Sequence, residues 1–302
     1  MIPNRAHFVW VGANLPWLHS LAPLSAARHG GFDEVILHHD QNLSPSARDS
    51  LRGKVQLCEL DPKEAIVYRK LGPTALANHL RLRILRDLGG VYLDMDTLTI
   101  SSFGKLLGHS FFCGRERVVF SESLLHSRNP LRWTSAVAKT SLRRICRWMP
   151  RGVRLFQTIA GSFESHVSNA VLGSLAGHPI LSELLEEMER RIKAAPVRPK
   201  DLGVRLLQKV VERRPQNDRH PLVVLPEPTF YPLPPDISAH WFRPGSVWDC
   251  LDRLDPETRC VHWYASLVPS SQYLAVDQDW VWAHRHRVGL AELVSRLLPE
   301  VR

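Results

Sequence analysis

Two acidic residues separated by one, Asp94 and Asp96, directly follow the apolar segment 89–93. If a strand continues through them, both carboxylates point to the same face, about 7 Å apart. A divalent cation such as Mg²⁺ or Mn²⁺ would relieve their repulsion, because it prefers carboxylate ligands. The pattern also fits acids that merely end a strand and cap a turn with Thr97. These residues alone leave both interpretations open.

A helix predicted over residues 75–88 leads directly into this acidic strand. Leucines recur at helical spacing, Thr74 is placed to cap the N-terminus, and a glycine follows the last turn. Asn78 and Arg81 are three residues apart and therefore share a face, so they could meet one ligand. Arg81 also fits a solvated helix charge or a partner of Asp87.

The N-terminal part of the chain alternates between strand and helix patterns. Residues 6–12 are apolar almost throughout, as strands of a parallel sheet are, and predict a first strand that carries Val9 and Trp10. Further helix and strand patterns predict a parallel sheet with helices on its faces. Ligands bind at the edge where such strands end. Trp10 fits either a core position or a flat surface for a nucleotide base.

A basic segment covers residues 123–160. No acid occurs between Ser123 and Phe163, and arginines accumulate there with tryptophans between them. This predicts a basic helical insertion, part of it amphipathic. The segment fits a solvated flap, a contact with an anionic membrane surface, or a cradle for an acidic or phosphate-bearing acceptor.

Length, composition and charge predict a folded protein without a membrane span. The 302 residues, 44% of them hydrophobic, suffice for one large α/β domain, and no apolar run reaches the ~20 residues of a membrane span. The N-terminus lacks the pattern of a signal peptide, so we expect a cytoplasmic protein. The five cysteines form no CxxC pair, which predicts reduced thiols and no zinc site. A net charge of +9 suggests an anionic partner, and nucleic acid is unlikely because no nucleic-acid-binding module accompanies the charge.

Four parts of the sequence resemble one enzyme family. Residues 75–81, 84–85 and 89–96 resemble the sugar-binding signature of DxD glycosyltransferases, which include fungal outer-chain mannosyltransferases, bacterial capsular-glycan transferases and the large clostridial glucosylating toxins. Residues 2–3 and 7–12 resemble the first strand of the family and are close to the toxin version of it. Residues 165–170 and 177–179 resemble a family segment in which a helix containing an asparagine borders the donor pocket, and residues 260–267 resemble the closing motif of the family. The resemblance implies a single GT-A-like domain over residues 1–302, with a mostly parallel central sheet and helices on both faces.

The resemblance also implies roles for individual residues. Catalysis is expected from Asp94, Asp96 and Arg81, and Mn²⁺ or Mg²⁺ is expected on Asp96 and Asp94. His262 is expected as a further ligand, with Ser266 or a water as the alternative. The residues expected to bind the donor are Trp10, Val9, Asn78, Arg81, Tyr92, Asn169 and Ser266. Asn169 is expected on a helix that borders the donor pocket.

The implied activity is transfer of a sugar, with retention of anomeric configuration, from a nucleotide-sugar donor to an acceptor that the sequence does not identify. A UDP-sugar is favoured. The chain departs from the family pattern at Asn78, where an aspartate is usual, and at Leu267, where a tryptophan is usual. The asparagine leaves open a catalytically silent nucleotide-sugar binder. The acid pair alone also fits a metal-dependent phosphohydrolase or nucleotidyltransferase.

Overall fold

The computed structural model describes residues 1–61, 63, 66–118, 127–194, 198–215 and 219–300. The start of the predicted basic insertion, residues 123–126, lies outside them. The chain divides into two compact units: Met1–Gly114 with Val167–Leu225, and Arg115–His166 with Pro226–Arg302. The expectation of a single domain over residues 1–302 stays a prediction.

Strands and helices alternate along the first part of the chain. The strands of the described residues are β1 (Arg5–Trp10), β2 (Glu34–His39), β3 (Gln56–Glu59), β4 (Gly90–Leu93), β5 (Thr97–Thr99), β6 (Phe111–Val118), β7 (Glu164–Ser174), β8 (Leu222–Leu225) and β9 (Cys260–His262). Their α-helices are α1 (Trp17–His29), α2 (Pro45–Leu51), α3 (Ile66–Lys70), α4 (Pro73–Leu88), α5 (Pro130–Trp148), α6 (Gly152–Ala160), α7 (Pro179–Ala194), α8 (Val204–Arg213), α9 (Val247–Leu251), α10 (Ser270–Leu274), α11 (Gln278–His284) and α12 (Gly289–Leu297).

The first unit is built on a seven-stranded sheet with the order β3-β2-β1-β4-β7-β6-β8. The strand pairs β1–β2, β1–β4, β2–β3 and β6–β8 are parallel, and β4–β7 is antiparallel. The predicted α/β fold with a mostly parallel sheet is therefore confirmed. Because β1 and β4 are parallel neighbours, Trp10 and the acid pair lie at the same edge of the sheet.

A double-glycine break sets the helix α4 beside the strand β4. Gly89 and Gly90 have positive φ angles of 66° and 105°, and a Cβ on Gly90 would lie 2.8 Å from the carbonyl oxygen of Arg5. Only glycine accommodates this turn. Arg81 lies about 12 Å before the break along the helix, and Asp94 lies about 13 Å after it along the strand. The side chains of Arg81 and Asp94 therefore lie at about the same distance from the double glycine, where they can meet.

Helix α4 begins two residues earlier than predicted. Pro73 occupies the first helical position and Gly72 precedes it as the cap without a side-chain bond, so the prediction of Thr74 as the N-cap is wrong. Proline is favoured at this position because the first N–H of a helix has no intrahelical partner. The buried face of α4 packs in a core that includes Leu76, Leu80 and Leu85.

The second unit is mostly helical. Its largest fully buried side chains include Trp241, Trp263, Phe156 and Phe230. The basic segment contains the helices α5 and α6. No helix in the described part of the chain is both long enough and apolar enough to cross a membrane.

Candidate active site

The acid pair lies in a turn. Strand β4 ends at Leu93, the amide of Asp94 donates to the carbonyl of Ala170 at 2.9 Å, and the carbonyl of Asp94 accepts from the amide and the hydroxyl of Thr97 at 3.2 and 2.7 Å. The prediction that the strand continues through both acids is therefore wrong, because the backbone turns at Asp94. The turn brings carboxylate oxygens of Asp94 and Asp96 within 4.8 Å of each other.

At that separation the two carboxylates repel each other by about 3 kcal/mol at an effective dielectric constant of 20. Arg81 offsets one of these charges, because its guanidinium lies 2.9 Å from Oδ1 of Asp94. The group of two carboxylates and one guanidinium carries a formal charge of −1. A divalent cation would bind this group favourably, and both carboxylates are of the ligand type that Mg²⁺ and Mn²⁺ prefer.

The guanidinium of Arg81 is fixed by several contacts within the protein. Its side chain is 7% exposed, its other terminal nitrogen donates to the carbonyl of Asn169, its Nε donates to the carbonyl of Ala77, and its guanidinium lies 4.7 Å from the ring centre of Tyr92. These contacts favour a role in positioning Asp94. Direct contact of Arg81 with a donor stays a prediction.

Tyr92 gives Asp94 a second fixed contact. Its hydroxyl donates to Oδ1 of Asp94 at 2.9 Å, the same oxygen that Arg81 binds. Burial, more than the nearby charges, raises the pKa of Tyr92 well above its usual value, so the phenol keeps its proton and remains a donor. Both contacts orient Asp94 through one oxygen.

Asn78 and Asn169 also meet. The side-chain amide of Asn169 donates to Oδ1 of Asn78 at 3.1 Å. Asn169 lies on the strand β7, so the expectation that it lies on a helix is wrong. A Cβ on Gly203 would lie within 3.2 Å of both side chains, so this glycine permits a close approach of the chain to the two asparagines. Binding of a donor by either asparagine stays a prediction.

His19 is a residue of this site that the sequence interpretation missed. Its ring lies 5.3 Å from that of Trp10, and it is close enough to Asp96 for the carboxylate to act on its charge. Burial lowers the pKa of His19 to about 4, and Asp96 opposes this only in part, so the ring is neutral at neutral pH. Its position, nine residues after Trp10 on a separate helix, carries no local motif that would have indicated the contact.

The remaining predicted residues are placed as follows. Trp10 is half-buried at the end of β1, and the side chain of Val9 belongs to the core of the first unit, so Val9 could contact a donor only through its backbone. In the second unit, Ser266 is exposed, and His262 is buried with its ring centre 4.0 Å from that of Tyr264. Donor binding by Trp10, Val9 and Ser266, and metal binding by His262, stay predictions.

Comparison with known protein families identifies the region that contains the acid pair. Residues 36–113 match the family described as a glycosyltransferase sugar-binding region containing a DXD motif. This part of the chain is a glycosyltransferase sugar-binding region of the DXD type. The matched region includes Asn78, Arg81, Tyr92, Asp94 and Asp96, and it confirms the resemblance stated above for residues 75–96. No curated protein matches the sequence.

Solved structures of glycosyltransferases show a low overall likeness to this chain. The galactosyltransferase LgtC, in complex with donor and acceptor sugar analogues, is 13% identical over 86% of this chain and 87% of its own, with a TM-score of 0.46. The PaToxG glycosyltransferase is 15% identical over 70% and 69%, with a TM-score of 0.45. The UDP-bound glycosyltransferase domain of the YGT toxin is 10% identical over 74% and 79%, with a TM-score of 0.40.

Proposed function

We propose that this glycosyltransferase moves a sugar from a nucleotide-sugar donor, with UDP favoured, to an acceptor, with retention of anomeric configuration and in a reaction that depends on Mn²⁺ or Mg²⁺. The observation that supports the proposal is the anchored acid pair: Asp94, fixed by Arg81 and Tyr92, lies beside Asp96 at the edge of the sheet where parallel strands end. Ligands bind at this edge in α/β sheets.

The metal would be held mainly by Asp96, because the charge of Asp94 is already offset by Arg81. Asp94 would join the metal to the donor. The family resemblance of residues 260–267 assigns His262 as a further ligand and Ser266 as a contact on the diphosphate side. A bound Mn²⁺ or Mg²⁺ would act as a Lewis acid that stabilises the diphosphate leaving group.

The donor would be positioned by polar and aromatic groups of the first unit. Asn78 and Asn169 present amide groups that both donate and accept hydrogen bonds, which suits ribose or sugar hydroxyls. The indole of Trp10 offers a flat surface for the base. Retention follows from the family resemblance. A front-face transfer agrees with it, because the two carboxylates of the site are assigned to the metal.

The experiment is a panel of nucleotide sugars incubated with the protein and Mn²⁺, with released nucleotide and transferred sugar measured with and without EDTA. We expect release that depends on the sugar and is abolished by EDTA. Binding of a nucleotide sugar without release would instead support the silent binder. Cleavage of every nucleotide regardless of its sugar would support a phosphohydrolase or nucleotidyltransferase.

We also propose that α5 contacts an anionic membrane surface. Its outer face exposes Val137 (60%), Ile145 (48%) and Trp148 (72%), and Arg144 is exposed on the same face. Apolar side chains with an arginine among them complement the acyl boundary and anionic headgroups of a bilayer. This contact would place the protein peripherally at the inner face of the membrane.

The test is co-sedimentation with vesicles of phosphatidylserine or of phosphatidylcholine alone. Trp148→Ser and Arg144→Glu should each lower binding to the anionic vesicles, whereas Leu274→Ser, which alters an apolar residue exposed to 58% on α10, should not. Arg143 is unsuitable for the test, because it binds Asp236 at 2.8 Å within the protein. Equal sedimentation of all variants would contradict the proposal.

A further inference from the structure

A cavity of about 250 Å³ lies within the second unit, between the end of α6 and the segment 227–237. Its apolar walls are the buried side chains of Phe156, Tyr231, Leu233 and Ile237 together with three proline rings. Prolines fix the backbone of this wall, so the cavity is largely formed before any ligand arrives. Its volume corresponds to about eight water molecules at ~30 Å³ each.

The charged side chains that line the cavity have a net positive charge, because two arginines and one glutamate line it. Arg117 and Glu227 form an ion pair at 2.8 Å, and Arg117 also donates to the carbonyl of Ala160. The second carboxylate oxygen of Glu227 accepts from the hydroxyl of Ser165 at 3.4 Å. Both oxygens of Glu227 are thus engaged, and its charge is offset within the protein.

Arg253 supplies the remaining charge. Its half-buried side chain lines the cavity, and among the described residues it forms no ion pair or hydrogen bond. A guanidinium presents planar donors that match a carboxylate or a phosphate. A half-buried cation beside an apolar cavity favours an anionic ligand, because such a ligand restores the interactions that the cation loses on leaving water.

We propose that this cavity binds a small organic anion: a carboxylate or phosphate monoester held by Arg253, with a ring that packs against the proline and aromatic wall. The site lies wholly within the second unit, and no residue assigned above to the donor or the metal lines it. Binding there therefore does not depend on the transfer reaction.

The experiment is isothermal titration calorimetry of the full-length protein with three probes of similar size: phenyl phosphate, phenylacetate and the neutral 2-phenylethanol. Both anions should bind more tightly than the alcohol, and the ratio between them identifies which anion the site prefers. Arg253→Gln should weaken binding of the anions by about tenfold or more, because a charge-assisted hydrogen bond is lost. Binding of the alcohol should remain unchanged.

Three further variants keep the test decisive. Arg144→Gln removes an exposed arginine of the same unit that lies outside the cavity, and it should bind all three probes as the unmodified protein does. Ala160→Leu adds bulk at the cavity wall and should weaken all three. Asp96→Asn should leave binding intact, which separates this site from the donor site. Equal affinity of the anions for the unmodified protein and Arg253→Gln, or no binding of either anion, would overturn the proposal.

Discussion

The chain contains the same Asp-x-Asp pattern twice, and the two copies have different structures. Asp94 and Asp96 follow a buried strand, and Asp94 is fixed by a guanidinium and a phenol. Asp277 and Asp279 are exposed at the start of α11, where Asp277 caps the helix by accepting from the amide of Trp280 at 2.8 Å.

The difference lies in what surrounds each pair. A carboxylate that caps a helix satisfies a backbone N–H and is otherwise solvated. A carboxylate anchored through one oxygen by buried donors is held in a defined orientation, and a defined orientation is what a metal site requires. The Asp-x-Asp pattern alone therefore does not indicate a metal site. The residues that surround the pair decide whether its carboxylates are oriented for one.

The largest expected effect is loss of activity at the first pair alone. Asp96→Asn should lower metal-dependent transfer or donor hydrolysis by about 10²–10³-fold, because the proposed carboxylate ligand of the metal is lost. Asp279→Asn is the matched control in the second pair and should leave the rate unchanged. The measurement is release of nucleotide from the preferred donor, with circular dichroism as the check on folding. Full activity of Asp96→Asn would refute the metal site.

Arg81→Met should have the next largest effect. Asp94 then keeps its charge without the guanidinium, and activity should fall by about 10–100-fold, as for other groups that orient metal ligands. Unfolding free energy should fall by about 2 kcal/mol, because hydrogen bonds to charged groups are lost. Arg81→Lys, which keeps the charge without the planar fork, should lose less of both.

Steady-state kinetics over a range of Mn²⁺ concentrations separates the roles of Arg81. If Arg81 positions Asp94, the variants should need more Mn²⁺ for half-maximal activity. If the variants change only the Michaelis constant of the donor, direct contact of Arg81 with the sugar or phosphate is the better interpretation.

Tyr92→Phe should have a smaller effect. It removes one of the two donors to Oδ1 of Asp94 and leaves Arg81 in place. Activity should fall by about three- to tenfold, which corresponds to about 1 kcal/mol, the typical net value of one hydrogen bond, because Arg81 still holds the same oxygen. A rate equal to that of the unmodified protein, in a variant whose thermal unfolding is also unchanged, would show that Tyr92 does not orient the acid.

The smallest effect is expected at the second pair. Asp277→Ala removes the cap of α11 and should lower the unfolding free energy by about 1 kcal/mol. Its transfer rate should not change. Thermal unfolding and the nucleotide-release assay together check this, and a large loss of activity would show that the second pair does more than cap a helix.

Much of the first unit could be predicted from the sequence. The strand patterns of residues 6–12 and 34–39 and the helix before the double glycine all correspond to elements of the structure, because apolar periodicity and glycine or proline breaks are local properties. Predictions from local patterns were wrong at two residues of the candidate site. Asp94 leaves the strand, and Asn169 lies in a strand and not in a helix.

The sequence by itself determined the match of residues 36–113 to the DXD sugar-binding region, and the residue types available for the proposed metal and sugar donor. The tertiary structure alone decided which acid is anchored, since the contacts of Asp94 with Arg81 and of Asn78 with Asn169 join residues 13 and 91 positions apart. It also placed His19 near Asp96. A sequence pattern records spacing along the chain, whereas a site depends on distances in space, and only the packed sheet and helices set these.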